Sequence, residues 1–128
     1  MPATDSLLAP MEGADHREIG GVAMDTVRAG ASRVKRVIYP IGFRWSKNMK
    51  PIVGTDFCEH AHVGFLARGR IGIEYADGCT LDLIAPCVLA IEPGHEGWVV
   101  GDEPAVVIEF DFESDTVSRC GMPTSHAH

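Results

Sequence analysis

The chain has no stretch approaching the roughly 20 consecutive apolar residues that a membrane helix needs, which excludes a helical bilayer span. Basic residues are scarce: 11 Lys and Arg against 18 Asp and Glu leave a formal net charge of −7. No basic stripe gathers those few, so a nucleic-acid partner is not expected. The first residues lack both a basic start and an apolar core, so no signal peptide is expected and a cytoplasmic location follows. Cys58, Cys79, Cys87 and Cys120 are widely spaced and form no C-x-x-C pair. Two disulfides are formally possible, but without an export signal these thiols would stay reduced. No window of about eleven residues or more carries a helical period, which leaves little room for helix.

What is present suits one globular domain, with 45% apolar and 23% charged residues over 128 positions. Residues 1–18 mix small, polar and acidic side chains with prolines and read as a loosely held arm, its Leu7, Leu8 and Met11 able to pack on a partner subunit. Gly20–Arg28 could add an edge strand. From Arg33 the period is two: Val34, Arg36 and Ile38 alternate with Lys35, Val37 and Tyr39 until Pro40. Phe43–Trp45 reads as a short strand, Ser46–Pro51 as a loop, and Thr55–His62 as extended chain. Ile71, Ile73 and Tyr75, then Leu81, Leu83 and Ala85, alternate on either side of Asp77-Gly78, a strong hairpin signal. Val88–Ile91, Trp98–Val100 and Val106–Phe112 complete the set. Residues 114–128 have no period and form a tail. Short strands with a turn signal roughly every ten residues predict an all-β barrel or sandwich over residues 19–113.

The candidate chemistry lies in Cys58-Glu59-His60-Ala61-His62. On a strand, successive side chains point to opposite faces, so Cys58, His60 and His62 would project together. Thiolate and imidazole suit zinc or iron better than magnesium or calcium, which want oxygen. His95, from the turn after Ile91, would approach the same mouth of the barrel. Three protein ligands leave one position open for water or substrate. Gly64 puts no side chain beside the site and leaves room for a ligand. Trp45, Leu66 and Trp98 could line the pocket with it, and Glu96 could act as a general base or orient His95. Arg44 and Lys50 could hold an acidic ligand at the mouth. Each has a plainer role: Cys58 a small buried hydrophobe, His60 exposed, His62 a hydrogen-bonded core residue, the tryptophans core aromatics, Glu96 a solvated turn residue.

Arg44-Trp45-Ser46, Lys50-Pro51, Gly54-Thr55, Cys58, His62-Val63-Gly64-Phe65 and Gly69-Arg70, continued by Asp77-Gly78 and by Ile91 through Pro104, resemble small bacterial single-domain cupins. The resemblance covers about residues 33–112. It implies a double-stranded β-helix, a jelly-roll barrel of about six to eight strands, with one divalent transition metal near one end and a homodimer as the assembly. The broad cupin pattern is H-x-H, a Glu a few residues on, and a His after the second-motif proline. Here His62 falls where the Glu would sit, and Cys58 takes the place of the second histidine. His95 comes two residues early, with Gly97 near the usual position, and Leu66 cannot bind a metal. In the closer relatives the matching pair is Cys58 and His62, without His60. The resemblance therefore implies Cys58, His62 and His95 as ligands, with His60 in reserve. Two functions stay open: a metal-dependent oxygenase, isomerase or hydrolase acting on a small organic molecule, or a non-catalytic module that senses or binds one. The incomplete carboxylate–histidine set favours the module somewhat.

Overall fold

The computed structural model describes residues 5–112. Among them run β1 (Asp15–Ile19), β2 (Val22–Ala29), β3 (Ser32–Tyr39), the short helices α1 (Trp45–Asn48) and α2 (Lys50–Val53), β4 (His62–Arg68), β5 (Arg70–Tyr75), β6 (Thr80–Ile84), β7 (Cys87–Ile91), β8 (His95–Val99) and β9 (Ala105–Phe112). They pair into a six-stranded sheet, ordered β1-β2-β3-β9-β4-β7, and a three-stranded sheet, ordered β6-β5-β8. Every pairing is antiparallel.

The period-two pattern explains the layering. Val37, Leu66, Leu89 and Val107 of the larger sheet and Ile71, Ile73 and Val99 of the smaller one form a single buried core. The β5–β6 hairpin closes at Asp77-Gly78, where Asp77 Oδ1 accepts a hydrogen bond from the Cys79 amide at 2.9 Å and Gly78 takes a φ of +91°. Only a residue without Cβ adopts that conformation at no cost.

The opposite face of the larger sheet stays apolar as well. Val27 pairs with Val34 and Val34 with Phe110, while Phe65 lies between Ile108 and Val88. Val27, Val34, Phe65, Phe110 and Val88 are exposed, the last at 80%.

Three expectations change. β1 begins inside the stretch 1–18, and β1 rather than 20–28 forms the sheet edge, because β2 lies between β1 and β3. The described residues ahead of β1 are tied down too: buried Arg36, itself held by Asp25 at 2.9 Å, donates to the Leu7 carbonyl at 3.1 Å, and Arg68 pairs with Asp5. Finally, Phe43–Trp45 is no strand and 46–51 no open loop. Only Arg44 bridges to a strand, at Trp98, and the chain then turns through α1 and α2. Pro51 sits in the first turn of α2, where its missing N–H costs nothing, and Gly54 ends the helix at φ +86°. The expected tail, 114–128, lies outside the described residues.

Candidate metal centre

Cys58, His62 and His95 come together, but Cys58 and His62 do not meet through the strand parity expected of them. Residues 55–57 bend, and the strand begins only at His62. Cys58 instead forms a lone bridge with His95 at the head of β8. Its amide donates to the His95 carbonyl at 2.8 Å, and its own carbonyl accepts from the amides of Gly94 at 2.7 Å and His95 at 3.2 Å. Backbone therefore holds two of the three candidate ligands side by side, and β4 delivers the third. One ligand atom from each lies within 4.8 Å of the others.

The second nitrogen of each ring is already engaged. His62 Nδ1 donates to Glu109 Oε1, while Nε2 lies 3.8 Å from Cys58 Sγ. His95 Nδ1 donates to the Glu92 carbonyl at 2.6 Å, which leaves Nε2 for a ligand. Such partners fix ring orientation and tautomer and raise ligand basicity. A thiolate and two imidazoles held this way suit a divalent transition metal.

The electrostatics point the same way. Burial alone would push the Cys58 thiol up, but hydrogen bonds from His62 and His95 and the His62 charge outweigh it and bring the pKa down to about 6. Burial alone would lower His62, but the Glu109 charge and the bonds to Cys58 and Glu109 raise it to about 9. Glu109, only 2% exposed, resists the upward push of burial through His62 and Lys35 and stays below the usual range. Without metal the group rests as thiolate, imidazolium and carboxylate.

His60 belongs to a different cluster, with His62 and Glu109. Lys35 already occupies it: Nζ lies 3.4 Å from His60 Nε2, 3.9 Å from Glu109 and 3.0 Å from Asp111. A fixed ammonium repels a dication, so the chain fills this position itself. Burial, then the charges of His62 and Lys35, lower His60 to about 4, and it stays neutral.

These polar groups face a cavity of about 380 Å³ whose remaining lining is mostly apolar. Trp45 and Trp98 line it; Gly64, Leu66 and Glu96 do not. Leu66 is 0% exposed in the core. A Cβ on Gly64 would come within 1.8 Å of the Ile108 carbonyl oxygen, so the missing side chain makes room for β9 rather than for a ligand. Glu96 Oε1 accepts from the backbone amides of Ser46 at 3.1 Å and Gly97 at 2.9 Å. Neither Arg44, 4.7 Å over the Trp98 ring, nor Lys50, 3.4 Å from Asp56, is among the residues that line the cavity.

Glu109 and Lys35 were not singled out from sequence. Their alternation with Ile108, Phe110, Val34 and Arg36 leaves open which face lies inside. The available signal was charge register, since β3 and β9 place Lys35 opposite Glu109 and Arg33 opposite Asp111.

No protein-family model matches the sequence, and no curated protein does. Solved structures do. The Cupin 2 conserved barrel domain protein from Salinispora arenicola CNS-205 superposes with a TM-score of 0.56 at 16% identity, over 94% of this chain and 98% of that one. This is a cupin fold. Hydroxypropylphosphonic acid epoxidase from S. wedmorenis, in complex with fosfomycin, matches with a TM-score of 0.53 at 15% identity, over 79% of this chain and 56% of its own. Iron(II) HppE matches at 0.54 and 15%, over 87% of this chain and 63% of its own. The cupin barrel here thus spans little more than half of the epoxidase chain. Strands β3 to β9 span residues 32–112, and β1 and β2 precede them. Among the described residues no helix is long and apolar enough to cross a membrane.

Proposed function

We propose that this protein is a metal-binding cupin that takes a small, largely apolar organic molecule into its barrel. Cys58, His62 and His95 hold one divalent transition metal, zinc or iron(II), and His60 stays outside the coordination shell. One observation carries the reading: the three donors converge on a cavity while Glu109 and the Glu92 carbonyl engage the far nitrogens of both rings. The fold shared with iron(II) HppE supports it. When bound, such an ion supplies polarisation of a carbonyl or activation of water or dioxygen. Lys35 and Glu109 keep His62 oriented, and the apolar walls exclude water from the ligand. The assembly is a homodimer, which the exposed apolar face of the larger sheet supports. The location is cytoplasmic, which the free thiols of Cys58, Cys79 and Cys87 support.

A second reading, a non-catalytic binding or sensing module, is favoured by the engagement of Glu109 and Asp111 in ion pairs, which leaves neither free as a base. Reconstitution of untagged protein with cobalt(II), zinc or iron(II) tests the centre. The expected result is one metal per chain, with thiolate-to-cobalt charge transfer in the near ultraviolet. Replacing Cys58, His62 or His95 by Ala should abolish uptake, whereas His60→Ala should retain it. Wild-type protein without stoichiometric metal would remove the proposal. Displacement of the cobalt spectrum by azide favours the enzyme; an inert ion favours the module.

A further inference from the structure

On β3, Lys35, Val37 and Tyr39 share one parity, and all three line the cavity. The Lys35 ammonium is committed to Asp111 and Glu109. Tyr39 is not committed. Its ring packs on Phe43 with centroids 4.9 Å apart, yet among the described residues its hydroxyl makes no hydrogen bond. By contrast, the Tyr75 hydroxyl accepts from the Glu92 amide at 3.2 Å. Burial first, then the charges of Glu109 and Cys58, push the Tyr39 phenol well above its ordinary pKa. The hydroxyl therefore keeps its proton and is available as a donor. Tyr39 is half-buried, and among the described residues only Arg36 Nε is a fully buried side-chain polar atom without a partner, so the Tyr39 hydroxyl stays reachable by an acceptor on a bound molecule.

We propose that Tyr39 is a positioning residue for the cavity's ligand, its hydroxyl donating to an acceptor oxygen, carboxylate or ketone, on a molecule whose apolar body lies against Trp45, Ile73 and Leu89. This deepens the reading of the cavity as a ligand site and gives the substrate class: a compact apolar acid or ketone. The acceptor end is set at Tyr39 and the apolar end against the core.

Three probes of similar shape test it in the full-length protein, with and without zinc: 3-phenylpropanoate, 4-phenylbutan-2-one and propylbenzene. Their dissociation constants can be read from the fluorescence of Trp45 and Trp98, which both line the cavity. Tyr39→Phe keeps the ring and removes only the hydroxyl. At least one oxygen-bearing probe should bind roughly five- to tenfold more weakly to the variant, as loss of one buried hydrogen bond implies. Propylbenzene should bind both proteins equally, which a merely structural role for the phenol would not produce. Which probe loses affinity tells acid from ketone. Equal affinities of both oxygen-bearing probes for the two proteins, or no binding of either to the wild type, would overturn the assignment. Zinc content is measured separately and should not differ between the proteins. A metal-free wild type would end the metal reading, while the probe titrations still decide on Tyr39.

Discussion

His62 faces an acid on one side and a thiolate on the other, and this makes its proton the gatekeeper of metal uptake. A metal needs Nε2 free, but the imidazolium persists to about pH 9 and the Cys58 thiolate down to about pH 6. Uptake in that window expels one proton, so affinity should rise about tenfold per pH unit, and more steeply below it. The stability of the metal-free protein should behave differently. The raised His62 pKa stabilises below its unfolded value of 6.5, and that contribution is lost as pH rises through about 9. The lowered Cys58 pKa stabilises above its unfolded value of 9.0, and that contribution is lost as pH falls through about 6. Between 6.5 and 9 the two slopes are opposite and nearly cancel. Zinc competition titrations and denaturant melts across this range should thus give a steep line and a flat one. Glu109→Gln removes the charge that raises His62, so its upper break should move below that of the wild type. Affinity on the plateau should fall roughly 10- to 100-fold, as for other lost partners of ligating histidines. An unchanged break would refute this role for Glu109.

At the scale of elements, the centre hangs on one close approach and one isolated bridge. Gly64 lets the β9 backbone come near enough to bring Glu109 to His62. Gly64→Ala should cost about 2–3 kcal/mol or more, because the clash is with backbone that cannot swing aside. A chemical melt showing under about 0.5 kcal/mol of change would contradict that geometry. Legibility also divides at this scale. The β5–β6 hairpin was legible because Asp77-Gly78 and the flanking alternation are local. The ligand segment is less legible because Cys58-x-His60-x-His62 imitates a period of two, while the chain bends at 55–57. What places Cys58 is its pairing with His95, a long-range contact with no local trace. Trp45 heads a helix for a similar reason: four residues are too few to show a period.

Across the whole molecule, the larger sheet is apolar on both faces, and only one covers the core. The proposed dimer buries the other. Sedimentation at tens of micromolar protein should give twice the 13.8 kDa chain mass. Val34→Glu, which sets a charge between Val27 and Phe110, should shift the equilibrium to monomer. A wild-type monomer would leave that face unexplained by self-association. The barrel itself was legible from its punctuation. The inward Lys35–Glu109 pair was not, because charges on a solvent-accessible sheet usually point outward, and here the exposed valines and Phe110 do so instead. The chain order of the site has a further consequence. The proposed ligands come from residues 58, 62 and 95, and the acid that orients His62 lies on β9, the last strand described. During synthesis Cys58 emerges first, still as a thiol because the histidines that lower its pKa are not yet beside it, and can meet a soft ion only as a weak single donor. The oriented pocket exists only after β9 has closed onto β4. Selection of the ion is thereby deferred to the finished barrel, whose geometry, rather than the order of encounter with the growing chain, decides what is kept.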